Sequence, residues 1–233
     1  MKVESRFING LKVFGFTKTQ EIFKKIVEKP AILLAINAEK IYSNKSFLKE
    51  LSKNNITYAD GVGAVLALKF KGVKNAIRIP GSELWLEIIN YFKETKSFYL
   101  IGADQDTIEL VVNNLKYDFK DINIVGFHNG YLNSLSTKKI YSEIKLNKPD
   151  FVFVAQGSPK QEKLMSELIK IHKCIYMGLG GSFDVYTGKV KRAPKLFRNF
   201  GFEWLYRLIS QPSRIKRQIV LIPFLINLLR SKY

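Results

Sequence analysis

The sequence has one cysteine, Cys174, and two histidines in 233 residues. A lone thiol excludes a disulfide framework and a cysteine-based zinc cluster, and it fits a reducing compartment. His128 and His172 have no second ligand at metal-binding spacing, so both read as ordinary residues. Long apolar runs are also missing. The most apolar stretch, Ile219 to Leu229, is 11 residues long and is interrupted by Pro223 and Asn227. A spanning helix needs about 20 apolar residues, so this segment can lie in an interface but cannot cross a bilayer unaided. Met1 to Phe16 holds no unbroken apolar stretch, and no secretory signal is expected. There is no G-x-x-x-x-G-K-S/T phosphate loop, no Gly-x-Ser-x-Gly elbow and no internal repeat.

Acids are the other scarce group. Only 20 Asp and Glu stand against 38 Lys and Arg, for a formal net charge of +18. A field of that sign attracts phosphate-bearing partners: nucleic acid, anionic lipid or nucleotide. The excess is uneven. From Lys189 to Tyr233 there are 11 basic residues against one acid, Glu203, so +10 of the +18 falls on the last 45 residues. A basic tail of that kind points to a role of its own.

What is present is a strand–helix alternation. Arg6 to Phe16 reads as a hairpin turning at Asn9-Gly10, followed by a helix capped by Thr17 with Gln20. Short apolar runs at Ala31–Asn37, Ile56–Ala59, Phe98–Gly102, Ile122–Gly126, Phe151–Ala155 and Ile175–Gly178 read as buried parallel strands. Amphipathic helical patterns, such as Glu39–Lys53, Glu83–Glu94, Thr107–Leu115 and Gln161–Ile171, lie between them. The fold class expected is α/β: a Rossmann-like, mostly parallel sheet with helices on both faces, plus a C-terminal helical membrane-binding appendage. The division falls near residue 190, giving an α/β catalytic domain over 1–190 and a basic amphipathic appendage over 191–233, with helices at Phe197 to Ser210 and after Pro212.

Ligands of such sheets bind at the carboxyl ends of strands. Here those ends are small and polar: Asn37-Ala38-Glu39, Ala59-Asp60-Gly61, Gly102-Ala103-Asp104, Gln156-Gly157-Ser158 and Gly178-Leu179-Gly180-Gly181. Asp60, between a strand and a helix and followed by Gly61 and Gly63, suits a general base; it equally suits a helix N-terminal acid. The third glycine of a dinucleotide fingerprint is absent, Leu66 standing there. Ser158-Pro159-Lys160-Gln161 matches a capping box, and a capped helix start is also an anion site. Asp104-Gln105-Asp106 spells D-x-D, a metal-holding pattern of many sugar transferases, but two acids at a helix start also answer the macrodipole. Arg78 either neutralises a diphosphate or is a solvated surface arginine. The tail pairs Trp204, Tyr206, Leu208 and Ile209 with Arg207, and Arg214, Lys216 and Arg217 with the apolar run that follows. It reads as an interfacial helix with aromatic anchors, against a helix packed on the core or an RNA-binding patch.

In this order and spacing, seven stretches resemble the WecG/TagA/CpsF family of bacterial glycosyltransferases over nearly the whole chain. They are Asn37-Ala38-Glu39, Ala59-Asp60-Gly61-Val62-Gly63, Arg78-Ile79-Pro80-Gly81, Gly157-Ser158-Pro159-Lys160-Gln161-Glu162, Gly180-Gly181-Ser182-Phe183-Asp184, Val190-Lys191-Arg192-Ala193-Pro194 and Glu203-Trp204-Leu205-Tyr206-Arg207. The resemblance implies an inverting transfer, independent of metal or other cofactor, from a UDP-activated sugar such as UDP-N-acetylmannosamine to an undecaprenyl-diphosphate-linked N-acetylglucosamine. The product would feed teichoic acid, capsule or a related polysaccharide. It implies Asp60 as the base, with Asn37, Arg78 and Gln161 in the pocket and Arg207, Arg214 and Arg217 against the lipid diphosphate. Gly102, Ser158, Gly180 and Gly181 from the strand ends, and Asp184 from a matched stretch, join the substrate-binding set. Many members carry Thr two residues before the Asn; Ala35 stands there in this chain.

The expected setting is the cytoplasmic face of the plasma membrane, with peripheral attachment to anionic lipid and self-association when the tail is off the membrane. Two rivals are weaker. A nucleic-acid-binding protein suits the charge, but the basic residues come with a long apolar run rather than base-stacking aromatics, so no nucleic-acid partner is expected. A Rossmann-type oxidoreductase lacks its fingerprint.

Overall fold

The computed structural model describes residues 3–43, 45–194, 196–197, 203–210, 219–230 and 232–233, with the backbone alone at Glu203, Arg207 and Ser210. The hairpin forms as expected, β1 (Ser5–Ile8) pairing antiparallel with β2 (Leu11–Phe14). Asn9 and Gly10 take φ of 49° and 80° between them, the two positive values a tight two-residue hairpin turn requires. Then follow α1 (Gln20–Glu28), β3 (Ala31–Ile36), α2 (Ala38–Ser43), α3 (Ser46–Asn54), β4 (Ile56–Ala59), α4 (Val62–Phe70) and α5 (Gly81–Phe92). The chain continues through β5 (Ser97–Gly102), α6 (Gln105–Asp118), β6 (Asn123–His128), α7 (Ser134–Asn147), β7 (Phe151–Ala155), α8 (Lys160–Ile171), β8 (Ile175–Gly178) and α9 (Ser182–Tyr186). Glu203–Ser210 and Leu221–Leu229 are helical in the tail.

The six strands after the hairpin form one parallel sheet flanked by helices, in the order β4-β3-β8-β7-β5-β6. The α/β reading of the sequence therefore holds. No helix among the described residues is long and apolar enough to cross a membrane. By its contacts the chain divides into two units: Met1–Ile22, Ala35–Pro80 and Lys191–Tyr233 make the first, Phe23–Leu34 and Gly81–Val190 the second.

In the first unit buried polar groups tie the hairpin down. Thr57 on β4 donates through Oγ1 to the Lys12 carbonyl at 2.7 Å and accepts from the Phe14 N–H, while Ser52 Oγ accepts from the Lys12 N–H. The tail also belongs here. The Leu221–Leu229 helix packs on α2 and α4, with Phe224 fully buried and Leu228 nearly so. One face of this segment is thus packed on the core, while Ile222, Ile226 and Leu229 on the other stay exposed. The start expected for a helix after Pro212 lies outside the described residues, which omit 211–218.

The second unit is built on aromatic packing. Trp85 of α5 is fully buried and meets Phe153, Phe183 and Tyr186 edge-on at 5.3 to 5.9 Å between centroids. Such pairs add about 0.5–1.5 kcal/mol each beyond their area. Gly126 sits at the β5–β6 register shift, where a Cβ would run into the Tyr99 ring. Cys174 is buried; burial pushes its thiol up to about 12, so it is no nucleophile at neutral pH.

Candidate active site

Asp60 is the first residue beyond β4, and its backbone is fixed on both sides. Its N–H donates to the Ile36 carbonyl at 3.0 Å, and its carbonyl accepts from Arg78 Nε at 3.0 Å. The Ile79 N–H, on the next residue, donates to the Ala59 carbonyl at 2.8 Å. Arg78 is therefore half-buried and oriented, not a freely solvated arginine. Asn37 caps α2, its Oδ1 accepting from the Lys40 N–H at 2.9 Å, and the cap uses the oxygen but not the amide NH2. A Cβ on Gly61 would stand 3.4 Å from the Asn37 Cβ, so these two turns lie side by side. The buried Lys40 sends its ammonium back to the Ala35 carbonyl at 2.8 Å. Asn37, Asp60 and Arg78, scattered over 42 positions, thus share one end of the first unit.

Of the second unit's strand ends, β8 is the most tightly built. Gln161 is buried, its Oε1 accepting from the Gly180 N–H at 2.9 Å and its Nε2 reaching Glu162 Oε1 at 3.3 Å. A Cβ on Gly178 would collide with that amide. Gly157 and Gly180 take φ of 74° and 60° with open space where a Cβ would be, while Gly181 is exposed beside Asp184. Gly102 has a different reason for being glycine. A Cβ there would sit 2.5 Å from the Ala155 carbonyl oxygen, so β5 and β7 close together only without one. The capping box read at Ser158 does not form. Pro159 takes the N-cap position without a side-chain cap, the Ser158–Pro159 peptide is cis, and Ser158 is exposed.

The D-x-D start of α6 forms a helix cap. Asp104 is the N-cap, its Oδ1 accepting from the Thr107 N–H at 2.9 Å, and its Oδ2 takes the ammonium of Lys189. Lys189 also donates to Thr107 Oγ1 at 3.2 Å. The Lys189 and Thr107 contacts hold the Asp104 carboxyl well below the usual carboxylate range and raise Lys189. Both carboxylate oxygens are engaged, and among the described residues no three His, Cys, Asp or Glu gather as a metal-binding group. Asp184 lies near Lys189 and accepts the Val190 N–H on its carbonyl at 2.9 Å, fixing the segment at the start of the tail.

An open pocket of about 480 Å³ lies at the ends of β6 and β7, lined by Gly130, Tyr131, Leu132, Asn133, Gln156 and Lys160. Gln156 donates to the Gly130 carbonyl at 2.8 Å, closing one wall. The sequence reading stopped β6 at Gly126, two residues short, and so passed over Gly130 and Tyr131; the Asn129-Gly130 dipeptide is the turn signal that marks the true strand end. Of the tail arginines, Arg207 lies in the Glu203–Ser210 helix with only its backbone described, and Arg214 and Arg217 lie outside the described residues.

Residues 8–233 match the model of the Glycosyl transferase WecG/TagA/CpsF family. The match takes in nearly the whole chain, so the chain belongs to this family: it is a glycosyltransferase of cell-surface polysaccharide synthesis, acting between a sugar donor and an acceptor.

Proposed function

We propose that this member of the family moves N-acetylmannosamine, or a related hexose derivative, from its UDP donor to an undecaprenyl-diphosphate-linked N-acetylglucosamine. The product feeds teichoic acid or a related surface polysaccharide, and the enzyme works peripherally on the inner face of the plasma membrane. The family supplies the reaction class. The observation that carries the chemistry is Asp60, held by its own backbone between Ile36 and Arg78 at a strand end beside Asn37.

The transfer is a single inverting displacement. The acceptor hydroxyl oxygen bonds to the anomeric carbon on the face opposite UDP, and its proton passes to the Asp60 carboxylate. The bond from that carbon to the β-phosphate oxygen breaks, its electron pair leaving with UDP. Arg78 and the Asn37 amide answer the charge that develops on the departing diphosphate, where oriented donors contribute about 3–4 kcal/mol each. Gly102, Ser158, Gly180, Gly181 and Asp184 serve the donor, and Gln161 serves it by fixing the Gly180 N–H. Arg207, Arg214 and Arg217 meet the lipid diphosphate of the acceptor. No metal is given a role in this reading; Asp104 serves as the α6 cap and the partner of Lys189.

The test is a panel of UDP-sugars assayed against a short-chain lipid-diphosphate acceptor, with and without EDTA. UDP release that requires the acceptor, is largest with an N-acetylmannosamine donor and persists in EDTA is the outcome this reading gives. Turnover lost in EDTA and restored by a divalent cation contradicts the metal-independent mechanism, and no turnover with any UDP-sugar contradicts the donor class.

A further inference from the structure

We propose that α4, in the catalytic fold itself, is a membrane-seating helix that presses an apolar stripe into an anionic bilayer beside the Leu221–Leu229 helix. This rests on the reading that the acceptor is lipid-linked, and it adds a surface that reading did not include.

Val62, Leu66 and Phe70 recur every four residues and so share one face of α4. All three are exposed, Phe70 at 58%, while Ala64, Val65, Ala67 and Leu68 are buried against the core. Apart from Lys69 in its last turn, the helix thus carries only apolar residues and Gly63, which is unusual for a water-facing helix. Its neighbour repeats the pattern. In the Leu221–Leu229 helix Phe224 and Leu228 are buried, while Ile222, Ile226 and Leu229 on the opposite face are exposed, two of them by 65% or more. The two helices meet where Phe224 lies over Gly63, the residue next to Val62 at the edge of the α4 stripe. Two adjacent helices therefore each turn an apolar row outward.

Charge decides what covers these rows. The exposed Lys69 lies beside Phe70 within α4, Lys71 and Lys74 follow the helix, and Arg230 and Lys232 follow the other. No acid occurs from Gly61 to Ser82 or from Trp204 to Tyr233. A second copy docked by twofold symmetry would set these cations against their own kind, whereas an anionic lipid surface attracts them. An apolar stripe rimmed by lysine and arginine is the pattern of an interfacial helix. The placement has a consequence for catalysis. Asp60 lies two residues ahead of α4, whose nine residues span about 13 Å. Seating α4 in the headgroup layer holds Asp60 within roughly that distance of the depth at which a lipid-borne diphosphate is found.

Flotation with phosphatidylglycerol-containing and with purely phosphatidylcholine vesicles tests this, alongside light scattering and both assay formats. Leu66→Ser/Phe70→Ser, at exposed positions, is expected to weaken binding to the anionic vesicles about tenfold or more. It should slow transfer to a vesicle-embedded acceptor while leaving transfer to a water-soluble one intact. Lys69→Glu/Lys71→Glu should remove the anionic preference without touching the apolar stripe. If both variants float as wild type while Ile222→Ser/Ile226→Ser does not, the tail alone seats the enzyme and the proposal for α4 is overturned. If the serine variant changes oligomeric state but not flotation, the stripe is a contact between copies and the proposal is equally overturned. If the wild type binds no vesicle yet glycosylates the soluble acceptor, membrane seating fails while the transferase reading stands.

Discussion

Gln161 shows how a single buried amide can organise a strand end. Its oxygen holds the Gly180 N–H at 2.9 Å and its nitrogen meets Glu162, so the turn after β8 leans on one side chain. Gln161→Leu keeps the bulk and removes the acceptor, which for a part-buried N–H costs about 1–2 kcal/mol. Urea unfolding of that variant is expected to show a lowered midpoint, and the assay a larger rise in donor KM than fall in kcat. An unchanged midpoint and KM would remove Gln161 from this role. The partner was not legible in the tetrad Ser158-Pro159-Lys160-Gln161, whose local pattern spells a cap, because Gly180 lies 19 residues further on. Asp60 was legible for the opposite reason: strand, acid and glycine are consecutive.

Among the elements, the helix pair α4 and Leu221–Leu229 depends on a missing side chain. A Cβ on Gly63 would stand 2.9 Å from the Ala38 Cβ and 3.1 Å from Phe224 Cε1. Gly63→Val is therefore expected to push the tail helix off α2 and α4, at a cost of about 1–3 kcal/mol for overpacking. Thermal unfolding together with limited proteolysis after residue 210 reads this out; wild-type stability and protection would contradict it. The strands were the most legible elements, since buried parallel strands such as Phe151–Ala155 are continuous apolar runs bounded by polar residues. The helices were less so. α7 gives little signal because only Ile140 and Ile144 of its 14 residues are buried, too few to give a period. The pattern from Glu39 to Lys53 is two helices because Lys45 takes an extended backbone, with ψ of 124°.

For the molecule as a whole, the charge asymmetry and the apolar tail were visible from the start, but their destination was not. Composition separates a basic tail from a more balanced body without showing what the tail touches. The buried Phe224 and Leu228 belong to the same unit as Asn37, Asp60 and Arg78, so the tail is part of the fold that carries the proposed base. Deleting it would strip the cover from α2 and α4, and a point variant at the base is the cleaner probe of the chemistry. The most direct measurement compares wild type with Asp60→Asn on a UDP-sugar and lipid-diphosphate acceptor pair, with UDP affinity followed by calorimetry. A fall in kcat of about 100-fold or more with UDP affinity kept is the result expected when one general base is removed. Asp60→Asn turning over at the wild-type rate would contradict the account.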